Sequence, residues 1–258
     1  MNKIPKIIHY CWFGRGKKNK LVKKCIKSWK KLLPDYKIVE WNEDNFDINL
    51  NLYVKQAYEA KKYAFVSDYV RLYALYNNGG IYMDTDVELL KSLDKFLKYN
   101  AFIGFEDETF CGTGIIGCKK ENPMIKKFLN LYKDIEFTKE DGNFDLTTNV
   151  SRISECLCSY GAELNNTEQD LKDIKIFPKT YFSPLNFNNI STDFSEDTYT
   201  IHHFAGSWLP TYTKKELKKR KDYERRKKFL CNYMSERNAT IILDFKWILK
   251  NKIKRRYK

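Results

Sequence analysis

The first 41 residues alternate between short apolar runs and one amphipathic stretch. An apolar, β-rich run covers residues 4–13 and ends at Gly14, which is typical of a buried strand leading into a loop. Residues 21–33 carry apolar side chains at helical spacing and stop before Pro34. Residues 36–41 again have the composition of a strand. A strand, a helix and a strand in this order form a βαβ unit, which predicts a right-handed crossover and a parallel sheet.

The following residues continue this alternation and predict an α/β fold. Residues 54–77 have a helical pattern, broken near Tyr63 and ended by Gly79 and Gly80, because Gly is favoured just past a helix C-terminus. A short apolar strand, residues 81–83, comes next. The further predicted elements are a short helix at 89–97, strands at 101–105 and 114–117, a helix from 123 to about 135 capped by Asn122, a helix at 147–160, and strands at 175–177 and 199–204.

Charge separates the C-terminal part from the rest of the 258 residues. The formal net charge is +14, and residues 214–258 contain 18 Lys and Arg against 5 Asp and Glu. We predict a charged helix at 214–234 and an amphipathic helix at 241–253. The expected division is a domain of residues 1–212 and a basic helical tail of residues 213–258. A cationic amphipathic helix suits an anionic membrane surface, or it packs on the body of the protein. Because the tail lacks a recognisable nucleic-acid motif, we expect no nucleic-acid partner.

Cysteine usage and the N-terminus indicate a cytoplasmic protein. The seven cysteines are odd in number and include no Cys-x-x-Cys pair, so a disulfide framework or a zinc ribbon is not expected. The N-terminus has no apolar signal core, and no apolar run reaches the length of about 20 residues that crosses a bilayer. We therefore predict a cytoplasmic location, at most peripheral on the inner face of the membrane.

Asp84 and Asp86 follow the predicted strand 81–83 directly. Because side chains alternate along a strand, the two carboxylates would point the same way and repel each other. A divalent cation such as Mg²⁺ or Mn²⁺ relieves this repulsion, since it prefers carboxylate oxygens together with phosphate oxygens and water. A lone Asp-x-Asp is more often a solvated strand end, and the flanking residues decide between the two interpretations.

Asp68 and Arg71 lie upstream on the predicted helix 54–77. Their spacing of three residues puts both on one helix face, where an exposed pair would contribute under about 1 kcal/mol. This helix is mostly apolar, so a charged pair on it indicates a polar site. The guanidinium of Arg71 could bind a phosphate, and Asp68 could accept hydrogen bonds from sugar hydroxyls.

Four motifs in this order resemble the family 32 glycosyltransferases, which carry an Asp-x-Asp motif and are related to the catalytic domains of large clostridial toxins. The motifs are Ile4–Gly14 (IPKIIHYCWFG), Ser67–Arg71 (SDYVR), Gly79–Asp86 (GGIYMDTD) and His202–Trp208 (HHFAGSW). The nearest likeness is to bacterial members from capsular and other surface polysaccharide gene clusters. The resemblance spans roughly residues 4–210 and implies a GT-A-type fold, with a mixed, mostly parallel sheet flanked by helices.

The resemblance also implies roles for individual residues. Trp12 resembles the residue that stacks on uracil, and packing in the core is an equal alternative. Asp68 and Arg71 resemble the pair that holds the donor sugar and its diphosphate. Asp84 resembles the first carboxylate of the motif, near the ribose and the metal, and Asp86 resembles the direct metal ligand.

The last motif adds a third metal ligand and a closing loop. His203 stands three residues before Gly206, as does the ligand histidine in related retaining transferases, and His202 is the alternative ligand. Ser207 and Trp208 resemble residues of a loop that covers the diphosphate. The toxins have one residue between such a Ser and Trp, whereas here the two are adjacent.

The expected function is a metal-dependent, retaining glycosyltransferase that uses Mn²⁺ or Mg²⁺. It would move a hexose or N-acetylhexosamine from a nucleotide sugar, a UDP-sugar in the first place, to a glycan or polyprenyl-linked acceptor in surface polysaccharide synthesis. Residues 112–114 and 145–149 would line the acceptor side, with a plain loop and a helix cap as alternatives. The rival functions are a basic nucleic-acid-binding protein and a glycoside hydrolase, which needs two carboxyl groups and no metal.

Overall fold

The computed structural model describes residues 3–185, 193–206, 209, 211–231, 233–235, 237–238, 240 and 242–243. The described residues 3–185 and 193–206 belong to one compact unit, and those from 209 onward belong to a second. The predicted domain boundary between residues 212 and 213 stays a prediction.

Helices and strands alternate through the first unit, as the hydrophobic pattern predicts. The strands are β1 (Ile7–Cys11), β2 (Lys37–Trp41), β3 (Gly80–Met83), β4 (Val87–Leu89), β5 (Ala101–Phe105), β6 (Cys111–Cys118), β7 (Gln169–Leu171), β8 (Ile174–Phe177) and β9 (Thr200–His202). The helices are α1 (Lys20–Leu32), α2 (Leu52–Glu59), α3 (Tyr63–Asn78), α4 (Pro123–Asn130), α5 (Asn149–Ser159) and α6 (Lys179–Phe182), with 3₁₀ turns at Ile48–Leu50 and Asp94–Phe96. The second unit contains α7 (Thr211–Cys231).

Seven strands form the central sheet in the order β2-β1-β3-β6-β5-β8-β7. Strand β1 is parallel to β2 and β3, and β5 is parallel to β8. Strand β6 is antiparallel to both β3 and β5, and β7 is antiparallel to β8. Five strands therefore run in one direction and two, β6 and β7, in the other. This confirms the predicted α/β fold with a mixed, mostly parallel sheet.

The sheet is buried between two helical layers. One core contains side chains of α2, α3, α4 and α5 and includes Tyr82 of β3. The other contains Trp29 of α1 and Phe182 of α6 and includes Ile81 and Met83 of β3. Neighbouring residues of β3 thus fill opposite cores, as expected for a strand that is buried on both faces.

A β-ribbon outside the main sheet was not predicted. Strands β4 and β9 pair antiparallel, with Val87 opposite His202. The indole N–H of Trp29 donates to the carbonyl oxygen of Val87 at 2.8 Å, which ties the ribbon to α1. The predicted helix at 89–97 is wrong. Leu89 belongs to β4, and only Asp94–Phe96 forms a short 3₁₀ turn.

Three other differences concern element ends and short elements. Strand β3 ends at Met83, and a turn follows in which the N–H of Val87 donates to the carbonyl oxygen of Asp84 at 2.9 Å. Helix α4 begins after its predicted cap Asn122 but ends at Asn130 rather than near residue 135. Short β7 and α6 were not predicted, because three or four residues carry too little periodicity to detect.

The predicted charged helix at 214–234 corresponds to α7. The predicted amphipathic helix at 241–253 lies outside the described residues except for Ile242 and Leu243. Among the described helices, none is both long and apolar enough to span a bilayer.

Candidate active site

Several strands that run in the same direction end at one edge of the sheet, and the predicted site residues follow them. Trp12 comes directly after β1, and Asp84 directly after β3. Glu106, which was not predicted, comes directly after β5. Because the carboxyl ends of such strands meet at one edge, the topology itself gathers these side chains, as it does in other open α/β sheets.

Asp84, Asp86 and His202 form a cluster at this edge. A carboxylate oxygen of each Asp and a ring nitrogen of His202 lie within 4.8 Å of one another. The carboxylates converge because of the turn after β3, and not because of strand alternation as predicted. His202 reaches them from β9, because the pairing of β4 with β9 puts it opposite Val87.

Each carboxylate of the pair has one oxygen held by a fixed donor. Oδ1 of Asp84 accepts from the Tyr82 hydroxyl at 2.7 Å, and Oδ2 of Asp86 accepts from the N–H of Ala205 at 2.8 Å. The other Asp86 oxygen, Oδ1, lies 3.4 Å from Nε2 of His202. The pair is thus oriented by the surrounding structure, with oxygens left for a further ligand.

The cluster fits a divalent cation by two further observations. Nδ1 of His202 is buried without a hydrogen-bond partner among the described residues. A Cβ atom on Gly114 would lie 3.1 Å from Cε1 and 3.2 Å from Nδ1 of His202, and 3.5 Å from Oδ2 of Asp84. Residue 114 therefore has to be small. Two carboxylates and an imidazole are a ligand set that can hold a divalent cation.

Mutual attraction governs the protonation of the cluster in the absence of a cation. Burial opposes charge on both Asp86 and His202. Their attraction outweighs it, so the pKa of His202 lies above its ordinary value and that of Asp86 below. A cation that binds here would displace the imidazole proton, so its affinity would depend on pH.

Arg71 is buried and joins the two predicted carboxylate motifs. Its Nη2 lies 2.9 Å from Oδ1 of Asp68 and 3.4 Å from Oδ1 of Asp84. Its Nη1 donates to the carbonyl oxygen of Thr113 at 2.9 Å and to its Oγ1 at 2.8 Å. The guanidinium is thus occupied by protein groups, and its first effect is to position Asp68 and Asp84.

Asp68 is mostly buried next to this guanidinium, with 14% of its side chain exposed. Burial raises the pKa of its carboxyl to about 7, against the opposing charge of Arg71. A carboxyl group that can be either neutral or ionised near pH 7 can donate or accept a hydrogen bond to a sugar hydroxyl.

His203, the predicted metal ligand, lies apart from the cluster. Its Nε2 is 2.9 Å from Oε2 of Glu88, which also pairs with Lys24 at 2.6 Å. The structure brings the alternative residue, His202, to the Asp pair instead. Neighbouring residues of a strand face opposite sides, and the position of the ribbon decides which side meets the site. A single sequence does not give that position.

Trp12 is partly exposed at the end of β1. Its indole N–H donates to the carbonyl oxygen of Gly16 at 2.7 Å, and Nζ of Lys18 lies 5.4 Å from the ring centroid. The edge of the ring is occupied, so a base would have to contact its face. The ring also packs against one of the two cores, in agreement with the packing alternative, and the stacking role stays a prediction.

The remaining predicted residues divide into three groups. Ser207 and Trp208 lie outside the described residues. Of residues 112–114, Thr113 binds Arg71 and Gly114 faces the cluster. In the segment 145–149, Thr148 caps α5, and Nδ2 of Asn149 lies 3.4 Å from the backbone oxygen of Asp68. This contact connects α5 to the site, and the acceptor-side role stays a prediction.

Glu106 is the residue at this edge that the sequence analysis missed. Burial raises the pKa of its carboxyl to about 7, and the charge on Glu106 in turn raises the pKa of His202. The available signal was an acidic residue directly after a buried strand, Ala101–Phe105, which is the same position that Asp84 has after β3.

One segment of the chain is similar to a known protein family. Residues 19–103, about a third of the chain, match the family model described as "Glycosyltransferase sugar-binding region containing DXD motif". The matched region includes Asp68, Arg71, Asp84 and Asp86. Residues 19–103 are thus similar to the sugar-binding region of glycosyltransferases, in agreement with the class of enzyme that the sequence predicts.

Particular relatives come from fungi and a virus. Inositol phosphoceramide mannosyltransferase 3 of Schizosaccharomyces pombe is 31% identical over 133 residues, which are 47% of this chain and 35% of that protein. An uncharacterized glycosyltransferase of Acanthamoeba polyphaga mimivirus is 26% identical over 224 residues, 80% of this chain and 84% of that one. The matched region thus spans only about a third of the fission yeast relative.

Among solved structures, the PaToxG glycosyltransferase is similar to this chain. The TM-score is 0.47 and the sequence identity 20%, with 61% of this chain and 69% of that chain covered.

Proposed function

We propose that this protein is a metal-dependent glycosyltransferase that transfers a hexose or N-acetylhexosamine from a nucleotide sugar to a glycan or lipid-linked acceptor. The observation that carries the proposal is the cluster of Asp84, Asp86 and His202, which Arg71 connects to Asp68. The match of residues 19–103 to a sugar-binding region supports it.

The chain's own residues would divide the work of binding and orientation. Asp84, Asp86 and His202 would hold the cation, which supplies positive charge where the leaving nucleoside diphosphate gains negative charge. Arg71 keeps Asp84 and Asp68 in place through its paired contacts. Asp68 would bind hydroxyls of the sugar, and the face of Trp12 would stack on the base.

The finer assignments follow from the family 32 resemblance. They are retention of the anomeric configuration, Mn²⁺ as the preferred ion, a UDP-sugar donor and a role in bacterial surface polysaccharide synthesis on a polyprenyl-linked acceptor. The basic tail of residues 213–258 would hold the enzyme on the anionic inner face of the membrane.

GDP-mannose is the second donor to consider. A relative with 31% identity is named as a mannosyltransferase that acts on inositol phosphoceramide. That name favours mannose as the sugar and a lipid as the acceptor. A donor panel therefore has to include GDP-mannose beside UDP-glucose, UDP-galactose and the UDP-N-acetylhexosamines.

Release of nucleotide from this panel tests the proposal, because many transferases slowly hydrolyse their own donor. We expect release from one donor with Mn²⁺, and loss of that release with EDTA and in Asp86→Ala. Asp44→Ala is the matched control, because Asp44 is an exposed Asp that pairs with Arg15 and is not part of the cluster. If the protein instead hydrolyses a glycoside and this activity is undiminished in EDTA, it is a glycoside hydrolase and the proposal is wrong.

A further inference from the structure

The backbone of Glu106 is fixed at the start of the connection between β5 and β6. Its N–H donates to the carbonyl oxygen of Phe110 at 2.9 Å. Within the connection, Oδ1 of Asp107 accepts from the N–H groups of Thr109 and Phe110 at 2.8 Å each. This connection is therefore a closed turn that presents Glu106 in a defined position.

Glu106 and the metal cluster both lie against glycines of strand β6. A Cβ atom on Gly112 would lie 2.7 Å from Cβ and 3.2 Å from Oε2 of Glu106. Two residues further along β6, a Cβ on Gly114 would meet His202 and Asp84. The two glycines thus let Glu106 and the cluster pack closely against positions of β6 that are two residues apart.

The carboxylate of Glu106 has no protein partner. In the ranges that the structure describes, it makes no hydrogen bond or ion pair, whereas the other acids of the connection are engaged. Asp107 closes the turn, and Glu108 pairs with Lys179 at 2.5 Å. Glu106 is half-buried, and a half-buried carboxylate without a protein partner is free to accept hydrogen bonds from a ligand.

We propose that Glu106 binds a hydroxyl group of the transferred sugar. The inference rests on the proposed function: the cluster holds the diphosphate, and the sugar is joined directly to that diphosphate. The sugar therefore has to lie beside the cluster, and Glu106 follows the neighbouring strand β5 at the same edge of the sheet. A neutral sugar supplies the hydroxyl donors that this carboxylate lacks.

Charge makes the same residue a determinant of specificity. A sugar acid would bring its own carboxylate towards Glu106, and like charges in a partly buried site repel each other. While the Glu106 carboxyl is ionised, the site therefore takes neutral sugars and rejects uronic acids. The rejection depends on the charge of Glu106 and not on the volume of its side chain.

Binding of a nucleotide sugar, compared with its diphosphate alone, tests the inference. Calorimetry with Mn²⁺ would give the affinity of the donor chosen by the release panel and of the matching nucleoside diphosphate. In Glu106→Ala we expect the donor to bind about tenfold more weakly, the loss of one hydrogen bond to a charged group. The diphosphate should bind unchanged. Glu108→Ala, an exposed Glu in the same turn, is the control and should leave both affinities unchanged.

A conservative variant separates charge from shape. Glu106→Gln keeps the size and hydrogen-bonding reach of the side chain but removes the charge. We expect it to bind UDP-glucuronic acid at least about tenfold more tightly than the wild type does, which a purely structural role would not produce. Three results would overturn the inference: unchanged donor affinity in Glu106→Ala, an equal loss for donor and diphosphate, or no gain for the sugar acid in Glu106→Gln. A wild type that binds no diphosphate at all would instead overturn the proposed function.

Discussion

Arg71 is the residue on which the two acidic motifs depend. It is 6% exposed and touches Asp68 and Asp84, and it also donates to both oxygens of Thr113. A buried guanidinium is stable only with such partners, and the buried carboxylates in turn need it. The i, i+3 pair predicted from the sequence is therefore part of a network that reaches three elements of the fold.

Replacing Arg71 should therefore destabilise the protein as well as inactivate it. Arg71→Met would leave Asp68 and Asp84 buried without their counter-charge, which costs about 3–5 kcal/mol. The free energy of unfolding in urea measures this loss. Arg15→Met removes the exposed pair with Asp44 and should change stability little. Equal stability of the two variants would mean that Arg71 does not support the carboxylates.

At the scale of elements, strand β6 is irregular where it passes the site. Ile103 and Gly104 are neighbours on β5, but their partners on β6 are Ile116 and Gly112. Between those partners, Ile115 pairs with Met83 of β3, and the N–H of Asp84 donates to the carbonyl oxygen of Gly114 at 2.8 Å. Such irregularities re-aim side chains, and here Thr113 meets Arg71 while Gly114 opens the space beside His202.

Gly114→Ala should test this arrangement. The added methyl group would lie 3.1 Å from the ring of His202, so the imidazole or the strand has to shift. We expect the affinity for Mn²⁺ in the presence of a nucleoside diphosphate to fall by about tenfold or more, as when the support of a metal ligand is lost. Gly16→Ala is the control, since nothing lies within 4 Å of its added Cβ. Unchanged Mn²⁺ affinity in Gly114→Ala would contradict the assignment of His202.

His9 fixes the junction between α3 and β3, just before the Asp pair. Its Nε2–H donates to the carbonyl oxygen of Gly79 at 2.8 Å, and its Nδ1 accepts from the indole N–H of Trp41 at 3.0 Å. The carbonyl only accepts and the indole only donates, so these two bonds need the neutral ring. Burial lowers the pKa of His9 to about 4, although the bond to Gly79 opposes this.

This junction predicts a loss of stability in acid. The neutral ring contributes fully above the ordinary histidine pKa of about 6.5, and its contribution falls as the pH drops towards 4, by about 3 kcal/mol in total. The unfolding free energy of His9→Phe, compared with the wild type across this range, isolates the effect. NMR titration should give His9 a pKa near 4, and an ordinary value would refute the buried neutral ring.

The sequence was informative about elements and less so about the site. Most helices and strands were predicted, because their apolar periodicity reflects the two cores. The carboxylates of Asp84 and Asp86 lie together as predicted, although a turn and not a strand aligns them, and their role stays a prediction. The choice of His202 over His203 and the position of Glu106 depend on the ribbon of β4 and β9 and on the irregular β6. These arise from pairing between distant segments, which local patterns do not encode.

At the scale of the whole molecule, the site is acidic although the chain is basic. Asp68, Asp84, Asp86 and Glu106 gather at one edge of the sheet, with Arg71 and His202 as the facing cations. A nucleoside diphosphate would be repelled from such an edge without a further cation. The excess positive charge of the chain lies in residues 214–258 and not among the residues of the site. This acidity supports the proposal that the donor binds together with a metal ion.

Calorimetric titration with UDP and GDP, in Mn²⁺ and in EDTA, tests this central claim most directly. We predict that one nucleotide binds with Mn²⁺ and that neither binds in EDTA. Asp86→Asn and His202→Ala should abolish the Mn²⁺-dependent binding, and His203→Ala, whose ring pairs with Glu88, should retain it. Nucleotide binding that persists in EDTA, or that survives in both Asp86→Asn and His202→Ala, would contradict the account.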